Sequence, residues 1–226
     1  MGRMKISYLG LLGALLVFLV LQPFLEPGRW GGRLADLAFS LVLLAGLATA
    51  AGHPRQLRWG AALFIPTLVA RWAAHLSGAE WLIVLRLVLG LLFLVYTAFV
   101  VLADVVRERE VSLDTISGGI CVYLLLGVGW ALGYALVEIQ APGSFAMGGE
   151  ALPPPPFALD AGGAWLGSFI YLSFVTLTTL GYGDLTPLSR VTQMLASAEA
   201  IFGQLFLAVF MARLVGLYAA RRRSGT

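Results

Sequence analysis

Charge is scarce in this chain. Only 12% of its 226 residues are Asp, Glu, Lys or Arg, while 59% are hydrophobic and the mean hydropathy is +0.88. A soluble domain carries about twice that charged fraction, so the composition excludes an ordinary globular surface and implies an integral membrane protein. Cysteine is reduced to Cys121, which rules out an intrachain disulfide and a multi-cysteine metal site. Neither Gly-x-Ser-x-Gly nor His-Glu-x-x-His occurs, and His53 and His75 fall in a loop and at a helix end, so no enzyme activity and no cofactor are expected. Internal repeats are lacking too. The net charge of +3 does not make a nucleic-acid face, because the basic residues come in short clusters between apolar runs. They serve as topology markers.

A helix needs about 20 mostly apolar residues to cross the hydrocarbon core. Six candidates stand between polar or Gly/Pro breaks, at 6–25, 34–51, 57–76, 81–103, 115–137 and 191–219, the third interrupted by Pro66 and Arg71. The first lacks a small-x-small cleavage site before Gln22 and Pro23 and is read as an uncleaved span. Six crossings put Arg3, Lys5, Arg55, Arg58, Arg107, Arg109, Arg221, Arg222 and Arg223 on one side, against Arg29, Arg33 and Arg190 on the other. Both termini are therefore expected in the cytoplasm. The compact loops suit a prokaryotic plasma (inner) membrane. Residues 139–164, with Pro153, Pro154, Pro155 and Pro156, read as a long external loop in extended geometry.

One further apolar run, 165–178, spans only ~21 Å as a helix, too short to cross. It must lie at the surface or dip in and return, and irregular backbone at membrane depth survives only where it is buried in protein or faces water. Directly after it comes Thr178-Thr179-Leu180-Gly181-Tyr182-Gly183-Asp184. Gly181 and Gly183 enter left-handed backbone at little cost, which lets successive carbonyls face a common axis. Rings of such carbonyls from several chains replace the water shell of a dehydrated K+. Thr179 can add its hydroxyl below the stack. Tyr182 is expected to face away and brace the loop against the short helix, and Asp184 to concentrate cations at the outer mouth. The negative C-terminal end of the short helix favours a cation beneath.

With Thr176 and Leu177 preceding it, this run resembles the signature of tetrameric potassium channels, Leu180 standing where valine is commoner. The resemblance covers about 115–219. It implies a homotetramer with two pore-lining helices per subunit, and K+ as permeant ion coordinated by Thr179, Leu180, Gly181 and Tyr182, with Gly183 completing the filter. The fold expected is thus an all-α membrane protein, six transmembrane helices plus a re-entrant pore helix and filter loop. Its parts are a four-helix domain at 1–103, a linker at 104–114, a pore domain at 115–219 and a basic tail at 220–226. Membrane lipids and K+ are the expected partners, and nucleic acid is not one.

In the last span Gly203 is a hinge or a site of close packing, and Leu207, Met211 and Val215 follow it at helical spacing as cavity lining or inner gate. Glu199 is costly at membrane depth unless partnered. It is expected to bond Ser173 or Thr176 on the back of the pore helix and, with Thr178, to support the filter. The fourth span holds Arg86 alone. One charge gains about 2.3 kcal/mol per 100 mV, whereas steep gating needs several, so strong voltage sensing is not expected. Arg71 and Arg86 read as a static ion cluster with Asp36 and Glu80. After 219 no ligand-binding domain is expected, and the terminal arginines anchor the helix at anionic headgroups. A non-conducting accessory subunit is the alternative. A transporter is disfavoured because only one such loop occurs and no second broken helix mirrors it.

Overall fold

The structure is a computed structural model that describes residues 8–24, 29–77, 80–108, 110–152 and 162–224. Helices occupy every run picked out by hydropathy: α1 at Leu9–Leu21 with a short 3-10 turn at Gln22–Phe24, α2 at Arg29–Thr49, α3 at Pro54–Ser77, α4 at Glu80–Arg107, α5 at Leu113–Gln140, α6 at Gly162–Leu177 and α7 at Arg190–Ser224. The protein is a mostly helical membrane protein. Four helices, α2, α4, α5 and α7, are long and apolar enough to cross a membrane by length and composition. α1 is one of the shorter apolar helices, and α3 carries Arg55, Arg58 and Arg71 along its length with Pro66 inside it. The expectations placed on Arg3, Lys5, Arg109 and Pro153 to Pro156 lie outside the described residues, as do the side chains of Arg29, His75, Glu80 and Arg221 to Arg223.

α5 is the centre of the subunit. It packs against α4, α6, α1 and α7, and Cys121, Ala131, Leu132, Tyr134 and Ala135 are fully buried along it. Small residues let neighbours come close, as expected of helices packed in lipid. Phe210 of α7 lies over Gly119, where a Cβ would occupy the ring position, and the Phe174 ring of α6 lies over Gly127. Ser112 caps α5 by accepting from Thr115 N–H at 3.1 Å, satisfying one of the orphan donors of the first turn.

Two departures from the sequence reading stand out. α4 runs on to Arg107 and α5 begins at Leu113, so the 104–114 linker shrinks to five residues. Part of the 139–164 loop is ordered as strands: β1 (Phe145–Met147) pairs with β2 (Glu150–Ala151) and with β3 (Leu185–Pro187), both antiparallel. Strands this short carry no readable periodicity. They bolt the loop before α6 to the chain leaving the 178–184 segment, and Thr192 Oγ1 reinforces the join by donating to Ser144 O at 3.0 Å.

Among the described residues the four-helix region holds a buried ion cluster. Arg71 of α3 donates to Asp36 of α2, both nearly inaccessible, and Arg86 of α4 lies 3.7 Å from the same carboxylate. Arg71 also stacks 4.1 Å over the Phe39 ring. This is the pinning cluster expected from sequence for Asp36, Arg71 and Arg86.

Candidate functional site

α6 stops abruptly, and its stop starts the loop. Thr179 N–H donates to Thr176 O at 2.9 Å and Leu180 N–H to Val175 O at 2.9 Å, the two bonds that close a helix through one left-handed residue. That residue is Thr179, at φ 59°, the only non-glycine residue with positive φ among those described. A β-branched residue in this region costs about 1–2 kcal/mol, so residue type alone does not point to it. Its Oγ1 donates to Thr178 O at 2.6 Å, and Thr178 Oγ1 donates to Phe174 O at 2.6 Å. Gly181 at φ 60° and Gly183 at 77° follow, so left-handed positions alternate with Leu180 and Tyr182.

Every residue from 178 to 184 is exposed in the subunit, Leu180 by 56% and Tyr182 by 67%. Within one subunit the tie between α6 and the loop comes from a residue that sequence reasoning missed: Tyr171 of α6 donates its hydroxyl to Asp184 Oδ2 at 2.7 Å. This hydrogen bond, aided by the Leu185 N–H, holds the Asp184 carboxyl below its ordinary value. Tyr171 lies just past the middle of α6, thirteen residues before its partner, so only the return of the loop brings the two together.

Behind the loop sits Glu199 of α7, wholly buried. One carboxyl oxygen accepts from Tyr134 of α5 and the other meets the hydroxyl of Ser173 of α6, which also donates to Gly127 O of α5 at 2.7 Å. Three helices thus meet on one carboxyl group. Of the two expected partners the structure selects Ser173 over Thr176. Tyr134 was not foreseen.

One turn further along α7, Gly203 lies against the carbonyl and side chain of Leu177, the last residue of α6, where a Cβ would collide with backbone. Close approach accounts for this glycine. It also moves Gly203 off the stripe expected to run through Leu207, Met211 and Val215. Each i to i+4 step advances about 40° beyond a full turn, so the stripe drifts. Leu207, Met211 and Val215 are exposed, and Gln204 shares their side of the helix, its Nε2 3.5 Å from Thr179 Oγ1. Sequence reading missed Gln204, although a mid-span glutamine next to a buried glycine was the available signal.

A half-length helix, a returning loop of alternating hand and a long exposed apolar helix define a pore-loop membrane protein. The family described as "Ion channel" matches residues 157–219, which take in α6, the loop and most of α7. Two curated relatives, both named Protein LctB, align with about half of the chain. The protein from Bacillus caldotenax is 32% identical over 107 residues, 47% of this chain and 75% of the relative; that from Geobacillus stearothermophilus is 30% identical over 113 residues, 50% and 79%. No solved structure matches the chain. The chain belongs to the ion channel family.

Proposed function

We propose that this chain is a potassium-selective channel subunit, four copies of which set the 178–184 loop around a common axis. The observation that carries this reading is the alternation of left-handed Thr179, Gly181 and Gly183 with Leu180 and Tyr182 at the end of a half-membrane helix. Alternating hand gathers N–H groups on one side of a chain and sends carbonyls to the other. Carbonyls of Thr179, Leu180, Gly181 and Tyr182, with the Thr179 hydroxyl, are the K+ ligands in this reading, Gly183 completes the filter and Asp184 forms the outer mouth. Four walls are required because one chain offers oxygens from one side only.

In the same reading α1 and α3 cross the membrane with the other four helices, both termini are cytoplasmic, and the host is a prokaryotic plasma membrane. The helices up to the end of α4 form the four-helix domain, the five residues before α5 are its linker, 115–219 is the pore and 220–226 the tail. Gating is not steeply voltage-dependent, because Arg86 is the one basic residue of α4 before Arg107 at its end, and it faces Asp36 in a buried cluster. Leu207, Met211 and Val215 line the inner passage, an apolar constriction able to close by dewetting. Gly203 seats α7 on α6, and Glu199 and Thr178 hold the loop from behind.

The test is the reversal potential of reconstituted protein in opposed K+ and Na+ gradients, which should follow K+. Gly181→Ala puts a side chain at φ 60° and should lower K+ flux about 100-fold or more while leaving assembly intact. A reversal potential indifferent to the cation overturns K+ selectivity. Flux that arises only after a second, different subunit is added favours the accessory role instead.

A further inference from the structure

Arg213 lies on α7 between Met211 and Val215. Its Nη2 donates to Val105 O at 3.1 Å, Val106 O at 2.7 Å and Glu108 O at 2.6 Å. These carbonyls lie at and just beyond the end of α4, which finishes at Arg107. The last four carbonyls of a helix lack intrahelical donors, and a cation there also meets the negative end of the helix dipole. Glu108 N–H serves Asp104 O at 3.2 Å, and among the described residues the Arg213 guanidinium is a donor to both Val105 and Val106 carbonyls.

The five residues between α4 and α5 are held from the opposite side as well. Tyr8 at the start of α1 donates its N–H to Asp114 Oδ1 at 2.8 Å, and its hydroxyl lies 3.5 Å from Asp104 Oδ2. Gly118 of α5 fits between Tyr8 and Val105. The end of α4 is thus fixed to α1 and α5, and its one tie to α7 through charge is Arg213 among the described residues. Arg213 also continues the face that α7 turns toward its own subunit. Thr192, Glu199 and Gly203 are buried, Phe206 and Phe210 stack at 5.7 Å, and the guanidinium follows one turn beyond. It stands ten residues past Gly203, about 15 Å along the helix, where a small bend gives a large displacement.

We infer that Arg213 is a latch: a positioning residue that fastens the far half of α7 to the end of α4 in the same subunit and favours the unbent, non-conducting form. Swinging that half away strips three acceptors from one guanidinium and leaves the α4 carbonyls without it. The latch gives the four-helix domain a route to the pore that needs no array of moving arginines. Its effect on conduction rests on the channel reading above. The contact itself does not.

The experiment uses the full chain in liposomes, with nitroxide labels at Val106→Cys and Ala212→Cys; both positions are exposed, whereas the native Cys121 is buried. Arg213→Gln is expected to lengthen or broaden the shortest label distance and, in planar bilayers, to raise open probability several-fold with an unchanged reversal potential. Arg213→Lys keeps the charge but reaches fewer carbonyls, and should fall between. A label distance in Arg213→Gln identical to that of the parent overturns the latch, whether or not current flows. A changed distance with unchanged open probability overturns its role in gating. Should Arg213→Gln fail to assemble, Arg213→Lys decides the matter: distance and open probability equal to the parent's overturn the inference. Absence of K+ current in the parent counts against the channel reading alone, since the label distance still reports the contact.

Discussion

α5 and α7 are neighbours of nearly equal apolarity, yet they are treated oppositely. Their best apolar windows have hydropathies of 2.1 and 1.9, but 56% of the α5 window is buried within the subunit against 6% for α7. Lipid tails are as apolar as leucine, so exposure alone does not make α7 incomplete. Its exposed polar residues do. Gln193 and Gln204 are both exposed, and Gln204 stands mid-helix beside the Thr179 hydroxyl. An uncompensated amide facing hydrocarbon is unfavourable by several kcal/mol, roughly, whereas one lining a watery passage is at home. The polar groups of α5 are handled the other way: Tyr134 and Glu138 are buried and bonded within the subunit. α5 completes its contacts inside one chain. α7 keeps one side for its own subunit and leaves the rest exposed.

The sharpest way to break that contrast is to charge the free side of α7. Leu205 is exposed and lies about 100–120° round the helix from Phe206 and Glu199. Leu205→Asp should reduce a four-copy complex to single subunits, read as mass in native mass spectrometry of detergent-solubilised protein, and abolish flux with it. The matching change in α5, Leu132→Ala, removes a wholly buried side chain and should cost about 2–5 kcal/mol of subunit stability without altering copy number. If Leu205→Asp keeps the parent mass, that side of α7 faces lipid and the contrast teaches nothing about assembly.

Smaller effects are expected where the two helices meet. Glu199→Leu leaves the Tyr134 hydroxyl buried without its acceptor, whereas Ser173 keeps Gly127 O. The loss should be about 1–3 kcal/mol, seen as a lower unfolding temperature. Glu199→Gln offers an oxygen to Tyr134 and an N–H to Ser173, so it should lie within about 1 kcal/mol of the parent. Equal losses for both variants would mean that the charge, rather than the hydrogen-bond pattern, holds α5, α6 and α7 together.

Features set by local chemistry were legible in the sequence. Apolar runs gave the helices, the short run gave α6, and glycine at 181 and 183 announced left-handed backbone. Membrane cost singled out Glu199 and Arg71, and the structure gives both buried partners. What escaped depends on how distant segments are brought together. The hand of Thr179 is imposed by the helix stop against its own propensity. The β1, β2 and β3 strands are two or three residues long and exist through pairing alone. Arg213 read as one more basic residue because its acceptors, 105 to 108 residues away, are backbone carbonyls that no side-chain pattern reveals.

The smallest effect concerns the outer end of the loop, where α6 reaches round to the chain that leads into α7. The Tyr171 hydroxyl stabilises the charged form of Asp184, so the carboxyl titrates below its ordinary value of 3.8. A depressed value means that the charge survives acidification to that point and is lost only at lower pH. Tyr171→Phe removes the donor and leaves the Leu185 N–H in place. The external pH at which inward single-channel current falls should then move upward, toward 3.8, with reversal potential unchanged at neutral pH. Because Asp184 is fully exposed, solvent screens the interaction and the displacement should be modest. An unshifted current–pH curve would mean that Asp184 does not set the cation concentration at the mouth. The Tyr171 bond would then be a tie between α6 and the returning chain, and the outer end of the loop would belong with α5, complete within its own subunit.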